Sequence, residues 1–338
     1  MLRLPYFEYR APRSLREAAE MLAATPGAML VAGGTDLLPN MKRRQQVPPT
    51  LIGLRQVAEL KQIGNGDGVR IGAGVTLSSL TADDRLRPYT ALRQAAAQVA
   101  TPHLRNMGTI GGNICLDTRC NYYDQNYEWR KAIDFCMKKD GETCWVATSS
   151  PRCLAVSSTD TAPALIALGA TASLVSSDGE RTVALTDLYQ NDGIHYLTRR
   201  PDEILATVRL PHLDGWRSTY WKLRRRGAFD FPVLSVAAAV KLSRDGTVEA
   251  ARIVLGAVQS RPVEAPDAAR LLLGGTLTDA QIALAADAAA QPARPMDNTD
   301  FSLVWRKRVT RDFVGYALRE VRGDDMRARR RSIAKLVL

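Results

Sequence analysis

Four cysteines, Cys120, Cys136, Cys144 and Cys153, follow one another as C-x15-C-x7-C-x8-C and are the densest chemistry in this 338-residue chain. Thiolates are soft ligands that select zinc or iron-sulfur centres, and four of them complete either a ZnS4 site or a [4Fe-4S] cube. Structural zinc usually takes close C-x2-4-C pairs, which hold two corners of one small tetrahedron. No such pair occurs here, so the wide spacing favours a cluster reached from several directions. Tyr122, Tyr123, Tyr127, Trp129, Phe135 and Trp145 share the stretch and suit a wall that keeps water from a redox centre. Arg119, Arg130, Lys131, Lys138, Lys139 and Arg152 offer positive charge against an anionic cluster, and charge and exposure set its potential. The plain alternative is a surface loop with free thiols, but a loop this long with little regular structure needs something to order it. The fifth cysteine, Cys115, reads as a small buried hydrophobe beside a ligand site.

Two glycine turns supply the second chemistry. A dinucleotide pyrophosphate is doubly negative, and a glycine turn lets backbone N–H groups approach it, often at a helix start. Ala32-Gly33-Gly34-Thr35-Asp36 has that form between a short apolar run and a helical pattern, and Thr109-Ile110-Gly111-Gly112-Asn113 repeats it beyond an intervening unit. Either pair alone is ordinary turn material; two flanking one α/β unit say more. Gly72-Ala73-Gly74-Val75-Thr76-Leu77 begins like a Rossmann fingerprint but has Leu where the third Gly or Ala belongs, and no Walker A sequence exists. Seven residue steps from Asn113 to Cys120 keep the two sites within about 25 Å.

The elements that must position these residues alternate. A capping box at Ser14 opens a helix, Ala28–Ala32 reads as a strand before the first turn, and Leu51–Leu54 and Val69–Val75 read as strands. An alanine-rich helix spans Tyr89–Ala100 ahead of the second turn. Residues 116–153 have no clean period and look inserted. Beyond them come a strand at Leu154–Val156, a helix from Thr161 capped by Asp160 or Thr161, and hairpins about Ser177-Asp178-Gly179 and Asp245-Gly246. The last third turns helical at Pro266–Leu273, Asp279–Ala290 and Phe301–Val321. The length calls for two or three domains, and the mixed pattern gives an α/β first half with a small α+β tail.

Composition excludes several classes. No stretch approaches the ~20 apolar residues of a membrane span, and the start lacks a basic-then-apolar leader, so the expectation is a cytoplasmic protein without membrane attachment. The net charge of +11 gathers at Lys42–Arg44, Arg224–Arg226 and Arg327–Arg331. No finger spacing or RNP-like strand accompanies it, which sets nucleic acid aside. The run Arg327–Lys335 is a candidate docking surface.

At the two turns and the cysteine stretch, over nearly its whole length, the sequence resembles the FAD-binding (medium) subunits of the molybdenum hydroxylase family, which includes xanthine and carbon monoxide dehydrogenases. The resemblance implies that Leu30, Val31, Ala32, Gly33, Gly34, Thr35, Asp36 and Leu37, with Thr109, Ile110, Gly111, Gly112 and Asn113, form two FAD pyrophosphate loops, and that Asp160 and Lys222 add FAD contacts. The cysteine insertion is absent from most members. It is similar in spacing to that of the β subunits of 4-hydroxybenzoyl-CoA reductases, as is the run Asn113 to Cys120. A departure is the first loop, Ala-Gly-Gly where reductase-type chains read Gly-Ala-Gly; it keeps small residues but leaves open whether the substrate is 4-hydroxybenzoyl-CoA or a related aromatic thioester.

The implied fold is α+β: a two-subdomain FAD-binding domain of the vanillyl-alcohol-oxidase (PCMH) type, divided as 1–55 and 56–215 with the iron-sulfur insertion at about 116–153. A C-terminal domain of the CO dehydrogenase flavoprotein type follows at 216–325, then a basic tail at 326–338. The implied cofactors are FAD and a [4Fe-4S] cluster held by Cys120, Cys136, Cys144 and Cys153. The implied partners are a molybdopterin-binding large subunit and a [2Fe-2S] small subunit, in a dimer of heterotrimers, with ferredoxin as electron donor. Electrons would run inward from ferredoxin for reductive dehydroxylation to benzoyl-CoA, and no residue of this chain would be an acid, base or nucleophile toward the substrate. Only three histidines occur, and His103, just before the second turn, is the candidate to face the flavin. Two alternatives stand beside this: a medium subunit of an oxidising enzyme that sends electrons outward, and a zinc-stabilised scaffold without redox function.

Overall fold

The computed structural model describes residues 3–335, so the last three residues of the expected basic tail lie outside the described part. Three sheets organise the chain. The first is parallel, in the order β1-β3-β2, and joins β1 (Glu8–Arg10), β2 (Met29–Val31) and β3 (Thr50–Gly53). Parallel neighbours need crossovers, which the helices Leu15–Ala23 and Leu37–Lys42 supply. Ser14 caps the first of these by accepting from the Glu17 amide at 3.1 Å, while the Glu17 carboxylate accepts from the amide of Arg13 rather than closing the expected box.

The second sheet contains β4 (Ile63–Gly66), β5 (Gly68–Gly72), β6 (Thr171–Ser176), β7 (Gly179–Ala184) and β8 (Ile204–Leu210), antiparallel in the order β4-β5-β8-β6-β7. The third contains β9 (Trp216–Leu223), β10 (Leu234–Leu242), β11 (Val248–Gly256) and β12 (Val263–Glu264) in the order β12-β11-β10-β9. Both expected hairpins are present, as β6–β7 and β10–β11.

The third sheet is buried on both faces, which explains the unbroken apolar run of β10. Because side chains alternate along a strand, Tyr220, Ala237 and Ala239 join the core of the first two sheets. Trp221, Val236 and Ala238 join a second core with the helices Asp279–Ala290 and Leu303–Arg322. The helix Thr161–Ala167, buried at every position, belongs to the first of these cores.

Residues 116–153 contain only the short helix Tyr127–Ala132 and a small core of Cys120, Tyr123, Cys136 and Cys153 with Ala155. The entry and exit of this segment meet: Arg119 and Val156 exchange backbone hydrogen bonds of 2.8 and 2.7 Å. The strand expected at Leu154–Val156 is reduced to that bridge. The expected basic tail is a helix, Arg327–Ala334, and Arg330 is no free charge: its guanidinium pairs with Glu320, donates to the carbonyl of Tyr220 at 3.1 Å and lies 4.1 Å over the Trp221 ring. No helix among the described residues is long and apolar enough to cross a membrane.

Candidate functional site

A cleft of about 400 Å³ opens where the first sheet meets the second turn. Leu30, Val31, Ala32, Gly33, Gly34, Thr35, Asp36 and Leu37 all line it, as do Thr109, Gly111, Gly112, Asn113 and Asp160. Two expected contacts fall elsewhere. Ile110 is fully buried in the core, and Lys222 stands behind the wall. His103 is exposed on the short helix Pro102–Arg105 and lies outside the lining, so its expected role facing the flavin has no support from its position.

The two turns are pressed together. A Cβ at Gly33 would lie 2.0 Å from the carbonyl oxygen of Met107, so only glycine lets the first turn reach the segment leading into the second. Their backbones are spent differently. Among the described residues no protein acceptor pairs with the amides of Gly33, Gly34, Thr35 or Asp36, which leaves a run of unpaired donors in residues that line the cleft, an arrangement suited to an anion. In the second turn the amide of Ile110 donates to Val75 at 2.9 Å, that of Gly111 to Ala73 at 2.8 Å, and that of Gly112 to the Thr109 hydroxyl at 3.1 Å. The second turn therefore offers shape and side chains, with its donors already committed. Asn113 Oδ1 accepts from the Thr159 hydroxyl and from both the amide and hydroxyl of Thr161, tying the turn to the helix Thr161–Ala167.

Asp160 does not cap that helix with its side chain. Its carboxylate accepts from Tyr220 Oη at 2.6 Å and Lys222 Nζ at 2.9 Å, and Lys222 also donates to the Gln98 carbonyl at 3.1 Å. Desolvation pushes the Asp160 pKa up and the Lys222 pKa down, each opposed by the attraction of the pair. Alternation along β9 places Lys222 here, on the same face as Tyr220, and makes it the support of Asp160 rather than a lining residue.

The four insertion cysteines are all buried and gather in one place. Burial pushes the Cys120 thiol up to about 12, with Cys153 and Cys136 close enough to push the same way, and Cys153 to about 11, with Cys144 and Cys136 adding to it. No three His, Cys, Asp or Glu side chains among the described residues are arranged to share one metal ion.

This site is bolted to the first turn. Arg119, next to Cys120, forms an ion pair with Asp36, donates to Asn40 Oδ1 at 3.1 Å, and lies 4.8 Å over the Phe231 ring. Arg43 pairs with Asp124, and Gln45 donates to the Tyr123 carbonyl at 2.6 Å. Of the aromatic wall, Tyr123 is buried while Tyr127, Trp129 and Trp145 are exposed. Sequence reasoning missed the cleft-lining Asp117, Tyr196, Arg199, Phe229 and Phe231, which come from three separate loops and share no motif.

The geometry is that of a glycine-lined cleft suited to an anionic ligand. Residues 5–213 match the model of the FAD binding domain in molybdopterin dehydrogenase, and residues 218–321 that of the CO dehydrogenase flavoprotein C-terminal domain. The chain is 34% identical over 275 residues to the aldehyde oxidoreductase FAD-binding subunit PaoB of Escherichia coli, covering 78% of this chain and 85% of that one. It is 30% identical over 296 residues to the carbon monoxide dehydrogenase medium chain of Afipia carboxidovorans, with 85% and 88% covered. Among solved structures it is similar to the Cu,Mo-CO dehydrogenase, with a TM-score of 0.79 and 25% identity over 95% of this chain and 99% of that one. Quinoline 2-oxidoreductase from Pseudomonas putida 86 gives 0.76 and 27% over 95% and 98%. The chain belongs to the FAD-binding medium subunits of the molybdenum hydroxylase family, and its fold is mixed α/β with a CO-dehydrogenase-type C-terminal domain.

Proposed function

We propose that this chain is the FAD-carrying medium subunit of an oxidising molybdenum hydroxylase, working beside a molybdopterin-binding large subunit and a [2Fe-2S] small subunit. The single observation that carries this is the cleft between the two glycine turns, with free amides on one side and a fixed wall on the other, in a chain whose relatives are named as medium or FAD subunits of dehydrogenases and oxidoreductases. That kinship supports the outward direction over the inward one that the cysteine spacing suggests. FAD would exchange electrons in pairs, and this chain's residues would hold it: the amides of Gly33 to Asp36 would serve its pyrophosphate, Gly112 and Asn113 would shape the opposite side, and Asp160 is fixed by Lys222 and Tyr220. The division into 1–55, 56–215 and 216–325 is part of the proposal, and the presence of one parallel and two antiparallel sheets supports it.

A [4Fe-4S] cluster on Cys120, Cys136, Cys144 and Cys153 is the further part of the proposal. Four buried cysteines at wide spacing, with no close C-x2-4-C pair, suit a multi-iron cube better than zinc. The same cysteines favour a second reading, the inward flow of a 4-hydroxybenzoyl-CoA reductase type fed by ferredoxin, because reducing an aromatic ring needs a low-potential entry point.

Anaerobic assay of the whole complex separates the two. Oxidation of aldehydes or N-heterocycles with an artificial acceptor, and no dehydroxylation of aromatic acyl-CoA thioesters by reduced ferredoxin, is the expected result; the converse overturns the leading reading. Iron and acid-labile sulfide analysis tests the cluster: four irons are expected on this subunit, and one zinc without sulfide would remove it.

A further inference from the structure

Of the six basic side chains in and beside the insertion, one is built differently from the rest. Lys138 is a buried ammonium whose side chain is 6% exposed. Its Nζ donates to Asp117 Oδ1 at 2.8 Å, the Thr118 hydroxyl at 2.7 Å and the Gly193 carbonyl at 2.6 Å. An ammonium has three N–H groups, and all are taken, so Lys138 acts on anything further only through space, as a fixed charge. Arg119, by contrast, is turned toward Asp36 and Asn40, Arg130 toward the carbonyls of Arg43 and Arg44, and Lys139 toward Asp140.

The position is specific on both sides. Gly193, which accepts from Lys138, donates its amide to the Cys153 carbonyl at 2.9 Å, and a Cβ there would lie 2.7 Å from Cys153 Sγ. On the opposite side Asp117 lines the flavin cleft, as does Tyr196, whose ring centre is 5.6 Å from the ammonium. Lys138 and Asp117 therefore form a buried dipole with its positive end toward the cysteine site and its negative end on the flavin cleft.

We infer that Lys138 is a positioning residue for electron exchange: with Asp117 it forms a fixed dipole between the two redox sites that raises the reduction potential of the cluster relative to that of the flavin. The inference rests on the reading of the cysteines as a [4Fe-4S] site. One electron added to the cluster would add one negative charge, which the ammonium would stabilise, and a nearby buried charge changes such an equilibrium by roughly tenfold or more.

The test is an EPR-monitored reductive titration of the intact complex with dithionite, which supplies the electron. Lys138→Gln keeps the hydrogen-bonding size and removes the charge; the one-electron equilibrium constant of the cluster should fall roughly tenfold, ~59 mV toward more negative potential. Lys138→Arg should stay near the parent value, and Asp117→Asn should raise the flavin potential. A cluster potential unchanged in Lys138→Gln, or shifted equally in Lys138→Arg, overturns the inference. If Lys138→Gln loses its iron, Asp117→Asn decides: a raised flavin potential supports the dipole and an unmoved one overturns it. Absence of iron and sulfide from the parent protein would instead refute the cluster reading.

Discussion

The two glycine turns are near-copies in sequence and opposites in use. In the first, the amides of Gly33 to Asp36 find no protein acceptor among the described residues, and the residues that carry them line the cleft. In the second, the amides of Ile110, Gly111 and Gly112 are consumed by Val75, Ala73 and Thr109. A Gly-Gly pair therefore marks close approach, and what approaches is decided by the neighbours: a ligand in one case, the protein's own β5 exit in the other. The first turn is built for binding and the second for placing the wall opposite.

Changes at the packed positions of the second turn and its supports should read out first in stability, and changes at positions open to the cleft in flavin content. The largest effect is expected from Lys222→Met, which strands a buried carboxylate on Asp160 behind the second turn and should cost about 3–5 kcal/mol in chemical denaturation. Unchanged stability would show the pair to be dispensable. Gly33→Val comes next: with a carbonyl oxygen 2.0 Å from the new Cβ, the turns must part, and both flavin occupancy and about 3 kcal/mol of stability should be lost. Normal flavin absorbance in that variant would break the contrast at its centre.

Smaller substitutions sharpen it. A Cβ at Gly111 meets Ala73 Cβ at 2.7 Å, whereas at Gly112 only the Thr109 hydroxyl lies near, at 3.2 Å. Gly111→Ala should lower the melting temperature, by about 1–2 kcal/mol of stability. Gly112→Val should leave folding nearly intact and reduce flavin retention, read from the absorbance of the purified protein. Equal effects at the two positions would remove the distinction between them. Thr109→Ala deletes a helix cap and should cost about 1 kcal/mol while FAD stays bound, which a denaturation curve followed by flavin fluorescence can check.

The turns, the insertion and both hairpins were legible because each is a local statement: a glycine pair, a missing period, an Asp-Gly between apolar runs. The use of the amides was not, since the acceptors of Ile110 and Gly111 lie more than thirty residues back at Val75 and Ala73. Nor was the place of Lys222, which depends on which face of β9 meets which core. The helix at Arg327–Ala334 was hidden by its charge; what orders it is Arg330 reaching Glu320 and the Trp221 ring, contacts no arginine count reveals. Strands β8 and β9 escaped for a similar reason, being followed or preceded by polar loops with no turn dipeptide to frame them.

The two-way backbone bridge between Arg119 and Val156 has a consequence for how such a chain came to exist. Residues that exchange both hydrogen bonds in an antiparallel pair stand about 5.5 Å apart, little more than one peptide step. The whole cysteine segment thus leaves and rejoins the host at one doorway, so its gain or loss through evolution would demand no rearrangement of the sheets on either side. It is an excursion closed at its base by one bridge and held to the host by the ion pairs of Arg119 and Arg43.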